Sequence, residues 1–205
     1  MPLKPAAIGI RAHSGWAAAV AVAGTLTAPQ ILSRERIVVI DAGGPRANQP
    51  FHYAKDLPLA KAELHLAQCA KTARRLAAAG LENMAETVRN AGHTIIGCGI
   101  LTASGRSLPA LPEILASHPL IHTAEGEFFR NAFADACDHL GLLVSRIRER
   151  DLLDRAVKDF RFNARRLSSH LTNIGRDLGP PWTQDQKSAA LIAWLLLGSV
   201  GNPDQ

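Results

Sequence analysis

The chain begins with short apolar runs separated by turn residues and ends with longer runs whose apolar positions recur every three or four residues. The period changes near Gly43. Residues 7–11, 16–23 and 31–41 read as strands, since small and β-branched side chains fill them and His13-Ser14-Gly15 and the turn-rich stretch 24–29 bound them. Turns this short predict an antiparallel meander. Beyond Gly43-Gly44-Pro45 lies an irregular stretch, and then Leu59, Ala62, Leu66, Ala70, Ala73 and Ala77 share one helical face. The pattern predicts a helix broken near Gly80 and a second short one, carrying Leu81, Met84, Ala85 and Val88, that ends at Gly92. Residues 93–101 read as a buried strand. Because helices separate it from the meander, it should lie parallel to its neighbour through a right-handed crossover.

The second half continues with a loop over 102–109 and helices over 111–117 and 123–140. Phe129, Ala132, Phe133, Ala136 and Leu140 face the core on the longer one, and Gly141 stops it. A short strand follows at 142–147. Leu153, Val157, Phe160, Ala164, Leu167, Leu171 and Ile174 then step by four and three, predicting one long helix whose heptad-like face could also seat a second copy in a homodimer. Gly179-Pro180-Pro181 end it, and 183–197 forms the last helix. The longest apolar stretch, 189–197, is far short of the roughly 20 residues that cross a bilayer, so no membrane span is expected. Arg11 and His13 likewise interrupt the alanine-rich start before it could serve as a secretion leader.

At 205 residues the chain fits one domain over 1–205. Only 5% of it is aromatic and alanine is abundant, so elements must approach closely through small side chains. The net charge of +5 is concentrated: the segment 146–176 holds nine basic residues and four acidic ones, and the rest of the chain balances. A phosphate-bearing or acidic partner would be drawn to that basic helical segment. Cys69, Cys98 and Cys137 show neither a C-x-x-C nor zinc-finger spacing, which points to a reduced cytoplasm.

The stretch 117–127 carries the most chemistry. Two imidazoles, His118 and His122, and two carboxylates, Glu125 and Glu127, could hold a divalent metal or supply a general acid and base, with His122 and Glu125 on one helical face at i and i+3. The same residues also suit an ordinary helix start. Pro119 would keep His118 out of the helix, Thr123 would cap it, the acids would favour its first turn, and Glu127 would meet Arg130. At the first hairpin, His13 and Ser14 offer donors to a phosphate. Lys158, Arg161 and Arg165 line up at i, i+3 and i+7 beside Phe162, a cationic ridge able to follow a phosphate backbone. Asp41-Ala42-Gly43-Gly44 and Gly97-Cys98-Gly99 lack the helix that a phosphate-cradling loop needs directly after it.

Three meandering strands, then helix, strand, helix, strand and helix, is the element order of the ribonuclease H-like fold. The chain resembles the Holliday-junction-resolvase-like branch of that superfamily in Ile8-Gly9-Ile10 followed by Gly15-Trp16-Ala17. A second similarity is Ala124-Glu125-Gly126-Glu127-Phe128-Phe129-Arg130, leading into Gly141-Leu142-Leu143-Val144. The resemblance implies an α/β fold with a five-stranded mixed sheet ordered 3-2-1-4-5 and flanked by helices. It also implies carboxylates at the end of the first strand, near the end of the fourth and on the last helix, holding two metal ions that cleave phosphodiesters. Those positions here read Arg11-Ala12-His13, Leu101-Thr102-Ala103 and Asp185, so one acid of the set is matched. The expected protein is therefore a member that binds a nucleotide or nucleic acid without cutting it. Its crevice would gather His13, Ser14, Arg106 and His122, with Lys158, Arg161 and Arg165 assisting. Two other readings stay open: a divergent metal-dependent phosphodiesterase with catalytic His122, Glu125 and Asp185 and metal ligands His118, His122, Glu125 and Glu127, and a structural homodimer subunit.

Overall fold

The computed structural model describes residues 3–200 apart from 104 and 106. Three strands open the chain, β1 (Lys4–His13), β2 (Trp16–Gly24) and β3 (Pro29–Val38), followed by helices α1 (Pro50–Ala54) and α2 (Leu59–Asn90) and then β4 (His93–Thr102). Helices α3 (Leu111–Leu115) and α4 (His118–His139) lead to β5 (Val144–Arg148). A single 3₁₀ turn (Glu149–Asp151), α5 (Leu152–Phe160), α6 (Ala164–Leu178) and α7 (Gln184–Val200) complete it. The sheet order is β3-β2-β1-β4-β5. β1 pairs antiparallel with β2, and β2 with β3, whereas β1 with β4 and β4 with β5 are parallel.

Strand alternation divides the core into two layers. Ala6, Ile8 and Ile10 of β1 join Ala17, Ala19 and Ala21 of β2 beneath α2 and α4, which bring Leu81, Met84, Phe129 and Phe133. Ala7, Val20 and Val22 face the other way, onto α5, α6 and α7, where Ile192 and Trp194 are fully enclosed. On that side α7 lies directly on the sheet because Gly9 and Gly99, register partners on β1 and β4, lack side chains. A Cβ on Gly9 would stand 1.8 Å from the Ala189 carbonyl oxygen, and one on Gly99 would stand 2.6 Å from Ile192 Cγ1. This close approach brings the first turn of α7 to the end of β1. Arg34 of β3 secures the chain just before α7 by donating to the carbonyls of Leu178, Gly179 and Pro181.

Three sequence expectations are revised. Gly80 does not interrupt a helix, since α2 runs unbroken through it. The glycine is there for contact: a Cβ would stand 2.4 Å from Ile37 Cγ2 of β3. The long basic helix is two helices, separated where Arg161 turns left-handed (φ 54°) and Asn163 caps α6 by accepting from the Arg166 backbone N–H. The break lets Phe160 of α5 and Leu167 and Leu171 of α6 all bury against α7, so part of the apolar face read as a dimer seam is covered inside the chain, while Leu153 stays exposed. Finally, Pro119 does not exclude His118 from helix. It occupies the first turn of α4, where no intrahelical N–H bond is needed, and the Thr123 hydroxyl donates back to the Pro119 carbonyl instead of capping.

Candidate functional site

Two polar groupings form, one on each side of the sheet. The first lies at the end of β1, on the α7 side. Arg11 shares the orientation of Ala7 and Gly9, four and two residues earlier, so its guanidinium reaches the first turn of α7 and forms an ion pair with Asp185. Its Nε and second terminal nitrogen both donate to Glu149 Oε1, at 2.9 and 2.8 Å. Another contact joins its first terminal nitrogen to His13 Nε2 at 3.0 Å. The same ring nitrogen lies 3.2 Å from Asp185 Oδ1, so His13 Nε2 faces a guanidinium donor and a carboxylate acceptor together. The pKa of His13 is lowered, by burial first and by the Arg11 charge second, consistent with a neutral ring. That ring stacks on Trp16 at 4.3 Å, and the Arg36 guanidinium covers Trp16 at 3.6 Å from its centroid. Beside the network is a cavity of about 270 Å³ whose lining includes Glu149, Gln184, Lys187 and Ser188.

The chemistry of this grouping differs from a two-metal centre. The acid on α7 is present, but a permanent cation stands at the end of β1 and Thr102 closes β4. Arg11 supplies to Asp185 and Glu149 the positive charge that metal ions would otherwise bring. The residues at this site therefore do not fit a pair of divalent ions.

The second grouping lies across the sheet, where α1 meets the start of α4. His118 and His122 are one turn apart on α4, and His52 of α1 packs against both, with centroids 5.4 and 4.8 Å away. The two α4 rings are themselves 4.5 Å apart. His52 is buried while the other two are exposed, and one ligand nitrogen from each ring lies within 4.8 Å of the others. Behind them Glu125, with a side chain only 4% exposed, takes both the Nδ1–H of His52 at 3.0 Å and its backbone N–H at 3.2 Å. The floor is apolar, formed by Phe51, Ile114, Ile121 and Ala124. These three imidazoles could hold a metal.

The residues singled out in the sequence thus separate. His118, His122 and Glu125 come together, and Glu127 is engaged by Arg130 at 3.0 Å. Asp185 and His13 meet on the opposite face, so no single crevice contains both His13 and His122. Ser14 is exposed at the hairpin tip, and Lys158, Arg161 and Arg165 are exposed but divided between α5, the turn and α6. Arg106 lies outside the described residues. Sequence reasoning missed His52, whose stretch reads as irregular. The available signal was Pro50, which suits the first turn of a helix. Cys98 and Cys137 are both buried, and their mutual hydrogen bond, and then burial, push the Cys98 pKa far up.

Topology and comparison agree on the class: the chain has the ribonuclease H-like fold, with the five-stranded 3-2-1-4-5 sheet. Among solved structures it is similar to Thermus thermophilus RuvC in complex with a Holliday junction substrate, at 11% identity and a TM-score of 0.56, over 97% of this chain and 96% of that one. A second structure of Thermus thermophilus RuvC gives 12% identity and a TM-score of 0.53, over 96% and 95%. No family model matches the sequence, nor does any curated protein. Among the described residues no helix is long and apolar enough to cross a membrane.

Proposed function

We propose that this protein binds a nucleotide or nucleic acid at the crevice between β1 and the start of α7 and does not cleave it by a two-metal mechanism. One observation carries the reading: Arg11 occupies the end of the first strand and is committed to Asp185 and Glu149. A guanidinium held there neutralises the two carboxylates and stands where a metal-binding acid would be needed, and it leaves Lys187 beside the cavity and Arg36 over Trp16 to recognise phosphate. The cavity that adjoins this crevice, between α7 and the α5 and α6 residues Leu152, Leu153, Ser168 and Leu171, has room for a phosphate-bearing group beside Lys187. One structure of similar fold holds a branched DNA, which supports nucleic acid as the larger ligand. The exposed Arg148 and Arg150 and the cations of α5 and α6 extend the positive surface away from the crevice.

The reading is tested by fluorescence anisotropy with four-way, duplex and single-stranded oligonucleotides across a salt series, paired with a cleavage assay in Mg²⁺ and Mn²⁺. Binding should weaken linearly in log salt, and Lys187→Ala should reduce it without unfolding the chain. No product should form. Metal-dependent cleavage abolished by Asp185→Ala, or no binding to any probe at low salt, would overturn the proposal.

A further inference from the structure

We propose that His52, His118 and His122 form a binding site for a divalent d-block cation, zinc in the first instance, with Glu125 as the group that orients His52. The site is separate from the crevice on the α7 side and does not depend on the nucleic-acid reading.

The argument starts from Glu125. Burying a carboxylate is costly unless it is fully engaged, and here one oxygen receives both the ring Nδ1–H and the backbone N–H of His52. A carboxylate at that distance fixes the tautomer: the proton is on Nδ1 and the lone pair is on Nε2. This is the carboxylate-histidine arrangement that sets the angle and raises the basicity of metal-bound imidazoles. His52 is consequently a pre-oriented nitrogen donor on a rigid, apolar floor.

The other two donors come from helix geometry. Residues at i and i+4 lie one above the other on an α-helix, and inclusion of His118 in the first turn of α4 sets both rings on the face that meets His52. Zinc bonds of 2.0–2.1 Å in a tetrahedron place ligand nitrogens roughly 3.3 Å apart. The three nitrogens already lie within 4.8 Å of one another, so rotations of the exposed His118 and His122 rings suffice to close the set around the fixed His52. Neutral nitrogen donors favour zinc, copper or nickel, whereas magnesium and calcium require oxygen. Three protein ligands leave the fourth position for water on the exposed side, as in zinc sites that activate a ligand and unlike closed structural sites.

A purely structural role for the cluster predicts something different. If the Glu125–His52 pair served only to tie α1 to α4, the exposed rings of His118 and His122 would be dispensable. Equilibrium dialysis of the full-length chain with Zn²⁺, and Co²⁺ absorption as a reporter of coordination, distinguish the two. The expected result is one Zn²⁺ per chain and a tetrahedral Co²⁺ spectrum. Glu125→Gln should weaken binding about 10–100-fold, as loss of a supporting hydrogen bond does, and His118→Ala or His122→Ala should weaken it more. Both histidines are exposed, so these two variants should keep the wild-type circular dichroism and carry the test even if Glu125→Gln does not fold. Cys69→Ser controls for the other nitrogen-sulfur pair, His65 and Cys69, and should change nothing. Absence of Zn²⁺ uptake by the wild type, unchanged affinity in both histidine variants, or loss of uptake in Cys69→Ser would each overturn the proposal. Arg11→Ala should leave Zn²⁺ affinity intact, so failure at this site is distinguishable from failure at the crevice.

Discussion

Arg11 and Asp185 are 174 residues apart in sequence and share an ion pair at the junction of the first strand and the last helix. The same guanidinium holds Glu149, so one side chain joins β1, the turn after β5 and the start of α7. Both partners of the central pair are about one-quarter exposed, which places its contribution between that of a surface pair and a fully buried one.

Arg11→Ala should therefore cost about 1–2 kcal/mol, intermediate between exposed and buried ion pairs, read from urea unfolding. Arg11→Asp should cost more, because it brings three carboxylates together. Millimolar Mn²⁺ should raise the melting temperature of that variant and leave the wild type unmoved. Equal Mn²⁺ shifts in the two proteins would contradict the view that Arg11 substitutes for metal charge.

The cations of α5 and α6 make a second prediction, in salt dependence. Lys158, Arg161 and Arg165 are exposed, and each one that contacts phosphate should lower the slope of log affinity against log salt by about 1 when replaced by alanine. Because the break at Arg161 divides them between two helices, Lys158 and Arg165 should lose affinity independently. An unchanged slope in the triple variant would exclude this ridge from the interface.

Acidification tests the lowered pKa of His13. Its pKa in the folded chain lies below the ordinary 6.5, so the unfolded chain takes up the proton first as pH falls. The stability that His13 contributes is complete above about pH 6.5 and is lost progressively as the pH drops toward the folded value. His13→Gln should flatten the denaturation midpoint between about pH 7 and pH 5. His65, lowered by burial, acts with the same sign, so His65→Gln is the necessary companion. A pH profile indifferent to His13→Gln would refute a lowered pKa at His13.

Contact between α7 and the sheet should be sensitive to single methyl groups. Gly9→Ala presses on a backbone carbonyl that no rotamer change can move, so its cost should exceed the roughly 1–3 kcal/mol of ordinary overpacking. Gly99→Ala meets the side chain of Ile192 and should stay within that range. Ile192→Ala should rescue Gly99→Ala more than Gly9→Ala, because a Cβ on Gly9 meets Ile192 Cγ2 at 2.8 Å but also the immovable Ala189 carbonyl. Calorimetric melting of the three single and two double variants checks the order, and equal rescue would show that α7 rides on Ile192 alone.

Much of the architecture was legible in the chain itself. The change of hydrophobic period near Gly43, the turn residues of the meander and the helical connections to residues 93–101 are local signals that give the elements and their sequence along the chain, while the strand order 3-2-1-4-5 was what the resemblance implied. Arg11 at the end of the first strand was equally plain. Local signals misled where a residue served a distant contact. Gly80 resembles a helix breaker until Ile37 is seen beside it, and the even step from Leu153 to Ile174 conceals a turn made so that two short helices can pack on α7.

Sequence by itself determined which groups were available: two imidazoles and a glutamate at the start of one helix, a guanidinium and an imidazole at the end of one strand, and an aspartate early in the last helix. Only the tertiary structure decided how they combine. Strand alternation sends Arg11 and His13 toward α7 while α4 lies on the other face, so His13 joins Asp185, and His122 joins His52. A side chain's partners depend on which face of the sheet it leaves and on what the loops carry back to that face. His52 and Glu125 are 73 residues apart in sequence, and no local pattern relates them.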